Sequence, residues 1–384
     1  PSRSPVGDLR SYSRTLATES KRRFFEFVNV LNVVQCISEI TSSRCADFWI
    51  PARSAFRELF RIETQMSVAT QLTRALASFL AGPPLSRSAA AVVVSVGNDA
   101  GDLDSLVSAI AYAEWQQAAT PEAAEVLFVP LAPFKRRDFR LRTDATLLFE
   151  HCGVPLDADT GAPASLLHLD EAAAPAAAWE GRLGITLTDH NACVPAVAAA
   201  LGDRIIAIVD HHNDERRHLV DADEPTACKP AAAVGLAAVR SVREVDPSTG
   251  SACSLMAELM SDAELARCSE GTRLLMLGTI AIDTRGFAPA LIFQKFGPRD
   301  VRAVQRLCAS LQADATTAPA PLLPLDADKG TVAAAAAVLA AAPLPASARV
   351  RGATTYDARL IAYDGLSYGL PHQVRGARAR TMLD

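Results

Sequence analysis

No CxxC pair occurs among the eight cysteines, which removes zinc-knuckle and disulfide-framework architectures at the outset. Cys36, Cys45, Cys152, Cys193, Cys228, Cys253, Cys268 and Cys308 are scattered, several in apolar or alanine-rich stretches where cysteine behaves as a small hydrophobe. Unpaired thiols of this kind imply a reducing compartment, most simply the cytoplasm. No apolar run approaches the ~20 residues that cross a bilayer. FVNVLNVVQCI (27–37) and VAAAAAVLAAAPL (332–344) come nearest, and the first carries two asparagines. Also missing is a stripe of arginine and lysine interleaved with aromatics, and the net charge is −5. Neither a membrane nor a nucleic acid is therefore expected as a partner. The one basic stretch, PFKRRDFRLR (133–142), has five basic residues and one acid in ten positions. It reads either as a solvated loop or as a positive rim that draws an anionic substrate toward an acidic site.

What is present is enough for more than one core: 384 residues, 49% of them hydrophobic. Residues 1–75 are richer in serine, arginine and phenylalanine than the rest and form an extension without an assigned role. Ser2, Ser4, Ser11 and Ser13 with Arg3, Arg10 and Arg14 have the flavour of an organelle transit peptide, which keeps a mitochondrial location as the alternative. Asp8 and Glu19 run against it. The chain starts at Pro1 rather than methionine, so its natural beginning is expected to lie upstream.

From residue 76 the pattern is βαβ. AAAVVVSV (89–96) is a continuous β-branched run suited to a strand buried on both faces, and SLVSAIAYAEWQQAA (105–119) has helical spacing. VLFVPL (126–131), ITLT (185–188) and IIAIV (205–209) are further strands. DATLLFEHCG (144–153) and ACVPAVAAALG (192–202) are helices ending at glycine. The expected fold is α/β, with a doubly wound, mainly parallel sheet over residues 76–314. A proline-rich linker follows at 315–325, then a smaller α/β C-terminal domain at 326–384 with a helix at 329–344 and a strand at 359–365.

Four apolar runs end in acid: VVVSVGNDAGDLDS (92–105), ITLTDHN (185–191), IIAIVDHHND (205–214) and LLMLGTIAIDT (274–284). Each motif alone has an ordinary explanation. Asp104 suits an N-cap, Asp189 with Asn191 an Asx turn, and His212 a buried core histidine. Unrelated caps have no reason to recur at every strand end. Asp102 and Asp104, two apart in an extended segment, reach one crevice, and Asp189, Asp210, Asp283 and His211 arrive from other elements. Carboxylates gathered this way repel unless cations lie among them. Oxygen and imidazole donors without thiolate suit Mg²⁺ or Mn²⁺, with Co²⁺ as a further candidate. A pair of such ions is a common device for phosphoryl hydrolysis. GLSYG (365–369) matches a nucleophile elbow at Ser367, but only His372 and Asp384 follow, in the wrong order for that triad.

GNDAGDLDS (97–105), LTDHN (187–191), VDHH (209–212) and AIDT (281–284) resemble the ordered motifs of the DHH phosphoesterase superfamily. Within it the chain looks most like the eukaryotic exopolyphosphatases, relatives of family II inorganic pyrophosphatases and prune proteins. Gly97–Asn98 stands where pyrophosphatases have a GH pair. His212 is retained where prune proteins typically carry arginine, and the basic segment is similar to that of exopolyphosphatases. The resemblance implies that Asp102, Asp104, Asp189, His211 and Asp283 bind two divalent ions, with Asp189 bridging, and that an activated water attacks the terminal phosphorus. It implies that His212 binds that phosphate and that Asp210 orients the histidines, leaving Asn98, Asp210 and His190 behind the ligands. The active site is expected in a cleft between the two domains. Family members also carry DYK-like and SRK-like motifs. Here LDADK (325–329) offers Lys329, and GARAR (376–380) offers Arg378 and Arg380 as cations for the substrate. A monomer acting on inorganic polyphosphate, or on another small phosphoanhydride, is the implied function. An inorganic pyrophosphatase, a prune-like phosphodiesterase and a prune-like interaction protein are the alternatives. The intact acidic set argues against the interaction protein.

Overall fold

The computed structural model describes residues 67–83, 91–120, 125–219, 228, 236, 238–311 and 321–341. Arg378, Arg380, Ser367, the strand expected at 359–365 and nearly all of the 1–75 extension lie outside the described residues. The first elements are α1 (Val68–Ala81), β1 (Ala91–Val96), α2 (Leu103–Ala119) and β2 (Val126–Ala132). A 3₁₀ turn over Arg136–Leu141 leads into α3 (Thr143–His151), β3 (Leu167–His168), α4 (Leu169–Ala178), β4 (Leu183–Thr188), α5 (Pro195–Leu201) and β5 (Ile205–Asp210). The remainder is β6 (Arg243–Val245), α6 (Ala252–Leu259), α7 (Asp262–Arg267), α8 (Glu270–Asp283), α9 (Pro298–Leu311) and α10 (Lys329–Ala341).

The six strands form one sheet in the order β3-β2-β1-β4-β5-β6, and every pairing is parallel. Parallel strands need crossovers and are covered on both sides, which explains the unbroken apolar runs of β1, β4 and β5. Successive β1 residues alternate between two cores: Ala91 and Val93 join α2, α6 and α8, whereas Val92, Val94 and Val96 pack with Phe79 of α1 and with α4. Each fully buried aliphatic contributes about 1.5–3 kcal/mol of transfer free energy. The sheet reverses direction between β1 and β4, and the carboxyl ends of strands at such a reversal are where ligands enter open α/β sheets.

The expected doubly wound sheet is present, with β3 and β6 added at its edges; both are too short to carry a periodic signal. One expectation is corrected. LLMLGTIAIDT is not a strand but the last part of α8, so Asp283 ends a helix. A short apolar run cannot distinguish a buried strand from a buried helix, and the deciding residue is Ser269, whose hydroxyl accepts from Thr272 N at 3.2 Å and caps α8. Within the expected linker, Leu323 is buried and its N–H donates to Gln305 Oε1 at 2.9 Å. Val332, Ala336 and Leu339 of α10 belong to the same apolar cluster as Val304 and Leu307 of α9.

A buried acid locks α2 to α8. Glu114 accepts from Ser269 N, Thr272 Oγ1, Ser269 Oγ at 3.2 Å and Gln71 Nε2 at 2.7 Å. Burial raises its pKa, and these four donors hold it down. Glu114→Ala strands buried donors, each costing about 1–3 kcal/mol when unpaired. It should lower the urea midpoint by an amount equivalent to about 2–4 kcal/mol. An unchanged midpoint would refute this role for Glu114.

Candidate metal centre

The chain leaving β1 must turn at once into α2. Gly97 permits this because a Cβ there would lie 2.4 Å from the Ser105 Cβ. Helix α2 starts at Leu103, two residues earlier than its apolar spacing suggests, and this alters the expected roles of the two aspartates. Asp102 is the exposed N-cap, its Oδ1 accepting from Ser105 N at 3.1 Å, whereas Asp104 lies in the first turn and is buried. The pair therefore does not sit on one extended face, and the cap is Asp102 rather than Asp104. The Asp104 carboxylate accepts from Ser251 Oγ at 2.8 Å, Ala252 N at 2.7 Å and Cys253 N at 3.1 Å, so the N-terminus of α6 fixes it.

Asp189, one residue past β4, has φ +61° and is buried. Left-handed backbone is tolerated by aspartate better than by most residues, yet still costs on the order of 1–3 kcal/mol, and such strain clusters at working sites. Its Oδ2 accepts from Asn98 Nδ2 and Ser105 Oγ, both at 2.7 Å. Its Oδ1 lies 3.1 Å from His211 Nε2. No Asx turn joins Asp189 to Asn191; instead Asn191 reaches across to Asp210 Oδ2 on β5.

His211 Nε2 also lies 3.5 Å from Asp104 Oδ2, while its Nδ1 faces the Thr249 carbonyl at 3.1 Å. A carbonyl accepts only, so Nδ1 carries the proton and, in the neutral ring, Nε2 presents its lone pair to the acids. His212 is not a core residue: its side chain is 56% exposed, and its Nδ1 lies 2.8 Å from Asp210 Oδ1. Buried Asp210 is thus held against His212, and one atom each from Asp189, His211 and His212 lies within 4.8 Å of the others. His190 is buried, its Nδ1 on the Thr188 carbonyl at 2.9 Å and its imidazole pKa lowered by burial. Asn98 Oδ1 accepts from Ala100 N at 3.0 Å and Gly101 N at 3.3 Å, which orients the amide and directs its NH₂ toward Asp189. Asn98 therefore supports the acid as a donor.

The acids lie close enough to shift one another's proton affinity. Burial, then the charges of Asp104 and Asp102, raise Asp189 to about 7. Asp283 is pushed well above the carboxylate range by burial first, then by Asp104, Asp102 and Asp189. One of its oxygens is buried with no hydrogen-bond partner among the described residues. Burial alone would depress His211, but the Asp189 hydrogen bond and the charges of Asp104, Asp189 and Asp283 raise it to about 10. Orphaned carboxylate oxygen, raised acids and an aimed imidazole are the arrangement a divalent cation relieves. Buried Cys253 has its thiol pushed well up, by burial first and then by Asp104, so the donor set is oxygen and nitrogen without thiolate.

Lys329 begins α10 with its side chain exposed, and it makes no ion pair with the acidic cluster among the described residues. In the basic segment, Arg136 is committed to Glu171, and Arg142 donates to the Gly101 and Ala100 carbonyls and stacks on Phe134 at 3.8 Å. Lys135, Arg137 and Arg140 remain exposed. The segment therefore combines a solvated rim with an arginine that pins the loop after β1. Ser105, Thr249, Ser251 and Asn191 were not identified as support for the site from sequence. Only Ser105 and Asn191 lie inside the recognised motifs, and Thr249 acts through a backbone carbonyl that has no residue signature.

The sheet order, with acids and imidazoles from ordered motifs gathered where the strand order reverses, is the α/β arrangement that the resemblance to DHH phosphoesterases implies. No family model matches the chain. It is 32% identical over 190 residues to the exopolyphosphatase PRUNE1 of Bos taurus, covering 50% of this chain and 35% of that protein. It is 30% identical over 214 residues to the Homo sapiens protein of that name, covering 56% of this chain and 40% of the relative. The Mus musculus counterpart is 28% identical over 214 residues, covering 56% and 40%. The chain thus spans well under half the length of these curated relatives. The motifs and this similarity together support membership of the DHH phosphoesterase superfamily.

The raised acids set a pH signature for the protein in chelator. Asp189 binds its proton more tightly folded than unfolded, so its contribution is complete near pH 4 and is lost as pH rises through about 7. His211, raised to about 10, has the same sign and loses its contribution between about pH 6.5 and 10. The Tm of metal-free protein should fall from pH 5.5 to 8, and Asp189→Asn should flatten that fall. Thermal scans in chelator that rise or stay level over this range would contradict the cluster.

Proposed function

We propose that this chain is a metal-dependent exopolyphosphatase that releases terminal phosphate from inorganic polyphosphate. The observation that carries the reading is the cluster of Asp189, His211 and His212 at the ends of β4 and β5, with Asp104 3.5 Å from His211 Nε2 and with Asp102 and Asp283 close enough to influence the buried acids and the imidazole. On this reading Asp102, Asp104, Asp189, His211 and Asp283 would hold two divalent ions, Mg²⁺ or Mn²⁺ with Co²⁺ as a further candidate, and Asp189 would be the ligand they share. When bound, such ions lower the pKa of water and offset phosphate charge. The chain's own groups do the rest. Asn98 and Ser105 fix one Asp189 oxygen, leaving the other toward His211. Thr249 holds the His211 proton at Nδ1. Asp210, holding His212 Nδ1, raises that imidazole and leaves Nε2 free to hold a proton against the phosphate under attack.

The smaller domain at 326–384, through Lys329, Arg378 and Arg380, is assigned the rest of the polyanion. The name of the relatives supports a phosphoanhydride substrate for this chain. The scattered cysteines, without a CxxC pair, support a reducing compartment, and the cytoplasm is the location we propose. No helix of the described residues is long and apolar enough to cross a membrane.

Asp189→Asn suits the left-handed backbone as well as aspartate does, so the fold should persist. Phosphate release from long-chain polyphosphate should drop at least about 100-fold, the upper range for losing a mere supporting partner of a metal ligand. Parallel assays with pyrophosphate and cyclic nucleotides test the alternatives. Near-normal release by the folded variant would sink the assignment.

Asn98→His replaces a donor to Asp189 with a group that can itself ligate. Imidazole favours Mn²⁺ and Co²⁺ over the harder Mg²⁺. Metal titrations should show wild-type activity with Mg²⁺ and a variant shifted toward Mn²⁺ or Co²⁺. Identical activation profiles would place position 98 beyond reach of the ions.

A further inference from the structure

Two of the supports named above come from one loop. Thr249 supplies the carbonyl on His211 Nδ1, and Ser251 with the N–H groups of Ala252 and Cys253 supplies the clamp on Asp104. The loop is tied to β5 by Asp246 N donating to the Asp210 carbonyl at 3.0 Å. Its other attachment is Asp300, in the first turn of α9 and fully buried. The Asp300 carboxylate accepts from Gly250 N, 3.0 Å from each oxygen, from Gly297 N at 2.9 Å and from Ser254 Oγ at 2.6 Å. The Lys295 carbonyl also packs against Gly250: a Cβ there would meet it at 2.1 Å and Asp300 Oδ1 at 3.3 Å. Gly250, the residue between Thr249 and Ser251, is therefore confined by a carboxylate and a backbone wall.

We propose that Asp300 is a positioning residue of the metal centre, acting through Gly250 to set the Thr249 carbonyl and the Ser251 clamp together. The inference rests on the metal-centre reading above. Asp300 makes no ion pair among the described residues, and a buried carboxylate held only by neutral donors is a costly way to obtain stability alone. What it provides is geometry. All its partners donate, and a carboxylate only accepts, so both oxygens draw the loop inward. An amide would turn its NH₂ toward one of those N–H groups and release the loop. The Thr249 carbonyl would then leave Nδ1, and the His211 ring would lose both its tautomer and its direction toward Asp104 and Asp189.

The test is Mn²⁺ binding by the full chain, followed by the electron paramagnetic resonance signal of free Mn²⁺, beside the Tm of each protein in chelator. Asp300→Asn should weaken Mn²⁺ binding about 10- to 100-fold, the range for partners that stand behind metal ligands. Gly250→Ala, whose added Cβ meets the Lys295 carbonyl at 2.1 Å and Asp300 Oδ1 at 3.3 Å and so displaces the same loop with the carboxylate itself intact, should do the same. Ser254→Ala removes one donor that lies outside the loop; it should lower the Tm while changing affinity by less than about threefold, so stability and affinity separate. With Mg²⁺ in place of Mn²⁺, imidazole ¹⁵N spectra should show the His211 Nδ1–H tautomer in wild type and its loss in Asp300→Asn. If Asp300→Asn does not fold, Gly250→Ala and the spectra decide. Folded Asp300→Asn or Gly250→Ala binding Mn²⁺ as tightly as wild type would overturn this inference alone. Wild-type protein that binds no Mn²⁺ would overturn the metal centre and this inference with it.

Discussion

Mutual repulsion among four carboxylates sets the terms for everything around them. Asp102, Asp104, Asp189 and Asp283 come from the β1 turn, the end of β4 and the end of α8, and burial with the neighbouring charges raises Asp189 to about 7 and pushes Asp283 well above the carboxylate range. Such a group survives in a folded chain only if its surroundings supply compensation. Much of that compensation is neutral, a helix N-terminus on Asp104 and an amide and a hydroxyl on Asp189, while the His211 imidazole, raised to about 10, is the titratable part. Neutral donors orient an acid without cancelling its charge, so the field stays available to a cation. An arginine in the same position would stabilise the fold and remove the function. The nearest structurally committed arginine, Arg142, binds the loop carbonyls of Ala100 and Gly101 instead.

The sheet supplies the convergence cheaply. Reversal between β1 and β4 puts the ends of β1, β4 and β5 in one crevice with no long loop required. Each motif needs only to follow its strand directly: Asn98–Asp104 after β1, Asp189 after β4, His211 and His212 after β5. The strained backbone of Asp189 has the same origin, because the residue must turn its carboxylate back toward Ser105 one position beyond the ladder.

Much of this was legible in the residues. Apolar runs ending in acid located β1, β4 and β5, and the apolar run VLFVPL located β2, because a strand buried on both faces leaves a continuous apolar signal. The same signal misled at LLMLGTIAIDT, where a buried helix is equally apolar, and the information that resolves it lies upstream at Ser269. The Asp102 and Asp104 pair was legible as a site but not as geometry. A helix that begins at Leu103 turns two neighbours of like chemistry into an exposed cap and a buried anchor. β3 and β6 exist because the sheet edge has room for them, which is a property of the tertiary structure.

What stayed invisible shares one physical character. Thr249 works through its carbonyl, Ala252 and Cys253 through their N–H groups, and Gly250 through the absence of a side chain. Backbone groups carry no residue identity, so no motif can announce them. They are also well suited to hold the acids in place. An N–H at a helix terminus cannot rotate away, change its protonation or be attracted to a phosphate, as a lysine in its place would be. The division of labour follows: side chains with titratable chemistry face the crevice, and fixed dipoles hold them from behind. On that reasoning, substrate recognition should depend on mobile cations outside this shell, and metal retention on the rigidity of the 246–251 loop.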